Sequence, residues 1–175
     1  NIVTIRIGQG HGSGFFVGNN GYLLTNAHVV GDSKSVQIIT SSGMEIEGQV
    51  IRKSKSRDVA LIKVPLKITN SLYLKFQIPD IASDVYAAGT PIDEALKTTV
   101  TKGIISNIRV DNASGLKFIQ ADASISPGNS GGPLFDKFGN VIGISVAKYN
   151  TNSAEGLGLF IPLQDAFNSI KLSIE

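Results

Sequence analysis

Gln120-Ala121-Asp122-Ala123-Ser124-Ile125-Ser126-Pro127-Gly128-Asn129-Ser130-Gly131-Gly132-Pro133-Leu134 is the stretch on which the reading of this chain turns. A serine stands among glycines, and Pro127 presets the loop before it. A side chain at Gly128 or Gly131 would restrict a tight turn that exposes the Ser130 hydroxyl. An oxyanion hole needs backbone N–H groups converging on one point, and those of Gly128 and Ser130 are the natural donors. Alone, such a segment is as readily a surface turn. The rest of the chain has to decide.

A serine hydroxyl attacks well at neutral pH only with a base in hydrogen-bond reach, itself oriented by an acid. Thr25-Asn26-Ala27-His28-Val29-Val30 supplies the base candidate, His28, and Arg57-Asp58-Val59-Ala60-Leu61-Ile62 the acid, Asp58. The rivals to Asp58 are Asp32, Asp84 and Asp122. Asp32 stands close to His28 in a Gly-Asp-Ser turn, Asp122 stands close to the nucleophile loop, and Asp84 precedes a strand of the second half. The other imidazole, His11, sits between glycines and reads as a flexible turn. The order His, Asp, Ser is that of chymotrypsin-like enzymes and not of α/β-hydrolases, where the serine comes first.

Outward from these segments the chain reads as strand after strand: Ile2 to Ile7, Gly14 to Val17, Tyr22 to Thr25, Val36 to Thr40, Glu45 to Arg52, Val59 to Val64, Thr98 to Ile108, Lys117 to Ala121, Val141 to Val146 and Gly158 to Ile161. Short strands punctuated by Gly, Asn and Ser predict an all-β barrel or sandwich. After Pro162, apolar residues return at helical spacing, predicting a short packing helix. Thr69 to Ser83 is the least patterned segment and reads as a connector.

The 175 residues suffice for one compact unit or two small barrels. The chain has 16 basic and 14 acidic residues, a net charge of +2. No basic stripe interleaved with aromatics stands out, so nucleic-acid binding is not expected. Cysteine is absent and histidines number 2, which argues against thiolate or histidine-rich metal sites. No run approaches the roughly 18 apolar residues of a membrane span. Neither metal nor organic cofactor is expected. A leader cleaved ahead of Asn1 would be invisible here.

At these residues the sequence resembles the HtrA/Deg branch of trypsin-like serine proteases, over nearly its whole length. The resemblance runs through Gly12-Ser13-Gly14-Phe15, Gly21-Tyr22-Leu23-Leu24-Thr25-Asn26-Ala27-His28, Asp58-Val59-Ala60-Leu61-Ile62-Lys63, the 120–134 stretch, Gly139-Asn140-Val141-Ile142-Gly143-Ile144 and Gly156-Leu157-Gly158-Leu159-Phe160-Ile161-Pro162. It implies two perpendicular six-stranded β-barrels with a short C-terminal helix. Residues 1–78 would form the first barrel with His28 and Asp58, 79–162 the second with Ser130, and 163–175 the helix. It further implies endopeptidase action on polypeptide substrates and an extracytoplasmic, periplasmic or secreted setting. The branch usually carries PDZ domains after the protease domain; the residues here match the protease domain only, so PDZ gating is not expected from them. Ser124, six residues before Ser130, falls near the base of the primary pocket, with Val146, Lys148 and Tyr149 in its walls. Uncharged Ser124 disfavours cleavage after Arg or Lys. Digestive relatives bury a new N-terminal amine against an Asp before the nucleophile; Asn129 carries no charge for that pair, so exposure of Ile2 is not expected to be a switch. The competing expectations are a catalytically weak binding or chaperone module and a serine esterase.

Overall fold

The computed structural model describes residues 1–90, 98–146 and 157–173. Six strands, β1 (Ile2–Ile7), β2 (Gly10–Val17), β3 (Tyr22–Thr25), β4 (Ser35–Ile39), β5 (Glu45–Ser54) and β6 (Val59–Lys63), close in the order β1-β2-β3-β6-β5-β4. A single helical turn, α1 (Ala27–Val30), follows β3. The second six, β7 (Asp84–Gly89), β8 (Thr99–Val110), β9 (Lys117–Ala121), β10 (Pro133–Asp136), β11 (Val141–Val146) and β12 (Gly158–Pro162), close as β10-β11-β12-β9-β8-β7. Every pairing between these strands is antiparallel. The expected pair of six-stranded barrels is therefore what the chain forms.

Alternation along the strands explains how the barrels meet. Successive side chains point to opposite faces. Phe16, Leu23, Ala60 and Ile62 fill the first barrel with Val3, Ile5, Val36 and Ile38. Their neighbours Phe15, Val17, Leu24, Val59 and Leu61 face outward, against Phe118, Val141, Ile144, Val146 and Ile161 of the second barrel. Both faces of β3 and β6 are thus buried, which is why these segments read as short apolar runs. The second barrel has its own core around Val85, Ile105, Ile119, Leu134, Ile142 and Phe160.

The last element, α2 (Leu163–Ser169), adds Leu163, Ala166 and Phe167 to the shared core. It is shorter than the 163–175 expected. Leu172 N–H donates to Phe167 O (2.9 Å) and Lys171 N–H to Asn168 O (3.2 Å), with Lys171 at φ 52°. That is a Schellman closure, and it stops the helix. The first barrel grips α2 as well. Arg52 donates to Ile170 O and Lys171 O, and the buried Arg57 lies over the Phe118 ring, bonds Lys117 O and pairs with Asp165 at 3.6 Å.

Two strands, β7 and β10, were not expected from the sequence. β7 is rich in Ala and Gly, and β10 is four residues opening on Pro133, tolerated at the first position of a strand. His11 lies within β2, opposite Arg6, and not in a flexible turn.

Candidate active site

The first barrel presents His28 and Asp58 together. Asn26 has extended backbone (φ −81°, ψ 148°) at the start of α1, which turns the chain so that His28 follows at once. Asp58 precedes β6 at φ 65°, a left-handed conformation that Asp tolerates better than most residues. Asn26 Nδ2 donates to Asp58 O at 3.1 Å. The carboxylate then takes two bonds from one residue: His28 N–H to Oδ1 at 2.8 Å, and His28 Nδ1 with Oδ2 at 2.6 Å. An ionised carboxylate only accepts, so Nδ1 carries a proton, and in neutral imidazole Nε2 is left as the acceptor.

The rival acids are engaged elsewhere. Asp32 pairs with Lys53 and Lys55, and the hydrogen bond and charge of Lys55 foremost hold its carboxyl below the ordinary range. Asp84 pairs with Lys102 at 3.4 Å, and Asp122 Oδ1 accepts Ile104 N–H at 2.7 Å.

Ser130 stands on a turn of the second barrel and is 8% exposed. Asn129 N–H donates to Ser126 O at 3.0 Å, and Gly128 has φ 97°. A bond from the fourth residue to the first, with Pro127 second and a positive-φ glycine third, is the type II pattern. The glycines after Ser130 answer to crowding. A Cβ on Gly131, itself at φ 85°, would overlap Ser13 O and Thr25 Oγ1, and one on Gly132 would overlap Ala88 O. Gly131 N–H donates to Ser145 O at 3.0 Å, and Ser145 N–H to Gly132 O at 2.8 Å, tying the turn to β11.

The two halves meet at β2. A Cβ on Gly12 would come within 2.7 Å of Val29, the residue after His28, and 3.2 Å of Ser130 O. Ser13 N–H donates to Ser130 O at 2.8 Å, and Thr25 Oγ1 to Ser13 O at 2.7 Å. Gly12 thus permits the close approach to Ser130, while Gly14 leaves room for Ile5 and Leu24 within the first barrel. Ser13, Thr25, Asn26 and Thr90 carry no mark in the sequence of a role at the site, because their partners lie on other elements.

Of the pocket candidates, Ser124 is exposed and its carbonyl accepts Thr101 Oγ1 at 2.7 Å. Ile125 was not singled out, yet its Cδ1 is 2.7 Å from where a Cβ of Gly158 would lie. Val146 is buried in the shared core. Lys148 and Tyr149 lie outside the described residues. Among the described residues, no cluster of three or more His, Cys, Asp or Glu is placed to hold a metal ion, and no helix is long and apolar enough to cross a membrane.

The trypsin-like peptidase domain model matches residues 12–144. Among curated proteins, HhoB of Synechocystis sp. is 40% identical over 169 residues, covering 91% of this chain and 39% of the relative. A Bartonella henselae protein named "Probable periplasmic serine endoprotease DegP-like" is 35% identical over 175 residues, covering 94% and 33%. The chain thus spans about two fifths or less of these relatives. Among solved structures, the HtrA-type protease AlgW with tripeptide superposes at TM-score 0.82 with 32% identity, covering 95% of this chain and 57% of that one. The serine endoprotease from Yersinia pestis superposes at 0.80 with 31% identity, covering 95% and 60%. With the fold, the family model and these relatives in agreement, the chain belongs to the trypsin-like peptidase family, in its HtrA/DegP branch.

Proposed function

We propose that this chain is a serine endopeptidase in which Ser130 is the nucleophile, His28 the general base and acid, and Asp58 the orienting carboxylate. His28 Nε2 takes the Ser130 proton as Oγ attacks the scissile carbonyl. The N–H groups of Gly128 and Ser130 hold the developing oxyanion. His28 then protonates the leaving amine, and the acyl group on Ser130 is released by water in a second pass of the same steps. The observation that carries this reading is the double bond of His28 to Asp58, through N–H at 2.8 Å and Nδ1 at 2.6 Å, which leaves Nε2 free of the proton it must accept. The type II turn before Ser130 supports it, since it places a positive-φ glycine two residues ahead of the proposed nucleophile.

Buried Asn129 fits an enzyme that needs no N-terminal amine, because a carboxylate there would be a buried charge requiring a partner. For the residue before the cut, uncharged Ser124 and the apolar contact of Ile125 on Gly158 favour small or medium uncharged side chains. A library profile dominated by Arg or Lys would refute that preference. The substrates we propose are polypeptides. The printed name of the Bartonella relative points to an extracytoplasmic setting; recovery of the protein in the cytosolic fraction of its source cells would overturn that placement. The deciding experiment is labelling by a fluorophosphonate probe. Wild-type chain takes the label and Ser130→Ala does not; persistent labelling at another serine sinks the assignment.

A further inference from the structure

Ser13 belongs to the first barrel, yet its hydroxyl and its N–H are spent on the second half of the chain. It is fully buried on β2. Its hydroxyl donates to Gly128 O at 2.6 Å and accepts Thr90 N–H at 2.8 Å. A serine hydroxyl has one proton. With that proton on Gly128 O, the 3.1 Å contact with Thr90 Oγ1 has Thr90 as donor. The hydroxyl is then saturated, one bond given and two received. Ser13 N–H meanwhile donates to Ser130 O at 2.8 Å. One residue therefore grips the carbonyls of both residues whose N–H groups face the proposed oxyanion.

We propose that Ser13 is a positioning residue for the oxyanion turn, its hydroxyl pinning Gly128 so that the Gly128 and Ser130 N–H groups keep their convergence. The inference rests on the reading of Ser130 as nucleophile. Its physical basis is the freedom of glycine: at φ 97° Gly128 has access to conformations closed to other residues, so its placement must come from outside. The Asn129 N–H bond to Ser126 O closes the turn but leaves the Gly128 carbonyl unheld. Ser13 supplies that hold across the barrel interface, 115 residues away in the chain. A buried carbonyl stripped of its donor would turn to find another, carrying the adjoining peptide with it.

The test is Ser13→Ala, which keeps the N–H bond to Ser130 O and deletes only the hydroxyl. Active sites are titrated with a fluorophosphonate, and kcat is expressed per titrated site, so unfolded chain drops out. The expected result is a kcat lower by about 10–100-fold, less than the 10²–10³ for deleting an oxyanion donor. KM stays within about twofold, the pattern of an interaction made in the transition state alone. Affinity for a peptide boronate, whose tetrahedral adduct places an oxygen in the hole, falls by the same factor. The pH profile of kcat/KM keeps its wild-type shape. Wild-type kcat per titrated site, or a boronate affinity that does not follow kcat, overturns the inference. A wild-type chain that takes no label overturns the reading of Ser130 and this inference with it. If Ser13→Ala does not fold, Ser13→Cys carries the test, since it keeps the shape with a weaker donor: kcat per site reduced at least about threefold supports the inference, and undiminished kcat overturns it.

Discussion

Replacing Asp58 by asparagine changes one atom and reverses the hydrogen-bond logic around His28. The carboxylate accepts twice, from His28 N–H at 2.8 Å and from Nδ1 at 2.6 Å. An amide has one accepting atom. The backbone N–H cannot change its protonation, so the amide oxygen stays opposite it and the NH2 group turns to Nδ1. Nδ1 must then accept, which moves the ring proton to Nε2, the atom that takes the Ser130 proton in the proposed mechanism. Asp58→Asn should therefore fold and hold its imidazole in place, but in the wrong tautomer. In an enzyme of the chymotrypsin type the same change lowers kcat by about 10⁴, equivalent to ~5.4 kcal/mol of barrier. We expect that order of loss here in kcat/KM on denatured casein, with a matching fall in the rate of fluorophosphonate labelling. Although isosteric, Asp58→Asn should be no more active than Asp58→Ala, which enforces no tautomer. Retention of more than about a tenth of wild-type kcat/KM would refute the reasoning.

Gly131→Ala adds a left-handed penalty of roughly 1–2 kcal/mol to an overlap with Ser13 O and Thr25 Oγ1. Urea denaturation should show a larger loss than that penalty alone; a change below about 1 kcal/mol would mean that the turn has room to give. For Asp136, burial raises the carboxyl pKa, but bonds from the Asn140 side chain and N–H, from Phe138 N–H, and the charge of Lys75 outweigh it and leave it below the ordinary 3.8. A depressed folded-state pKa stabilises above the unfolded value and fades as pH falls through the folded one. Asp136→Asn should thus cost most stability at neutral pH, with the gap to wild type closing below pH 3.8 in melting experiments; a gap constant from pH 7 to 2 contradicts this. Ser124→Asp should shift a peptide-library profile toward Arg and Lys before the cut, and an unchanged profile would place the pocket floor elsewhere.

Several elements were legible in the sequence to the residue. β1, β3, β9 and β11 match their expected bounds because each is a β-branched or aliphatic run closed by polar or glycine residues. The pairing of His28 with Asp58 was legible because it depends on residue type. β7 was not: Ala87, Ala88 and Gly89 have weak strand propensity, and the strand exists because β8 and β10 pair with it on either side. Ser13 was hidden for another reason. Its position within a Gly-Ser-Gly run hints at tight packing, but nothing local says that Gly128 will lie 2.6 Å away.

The bonds that span the barrels also bear on how the chain comes into being. Synthesis runs from the N-terminus, so the first barrel, with His28 already on Asp58, is complete while the segment holding Ser130 is still to be made. The shared core between the halves is finished by Phe167 on α2 and by Ile170 and Leu172 just after it. While the first barrel is being made, the chain therefore lacks the proposed nucleophile and the interface that brings it to His28. Under the proposed mechanism, the order of translation alone delays activity.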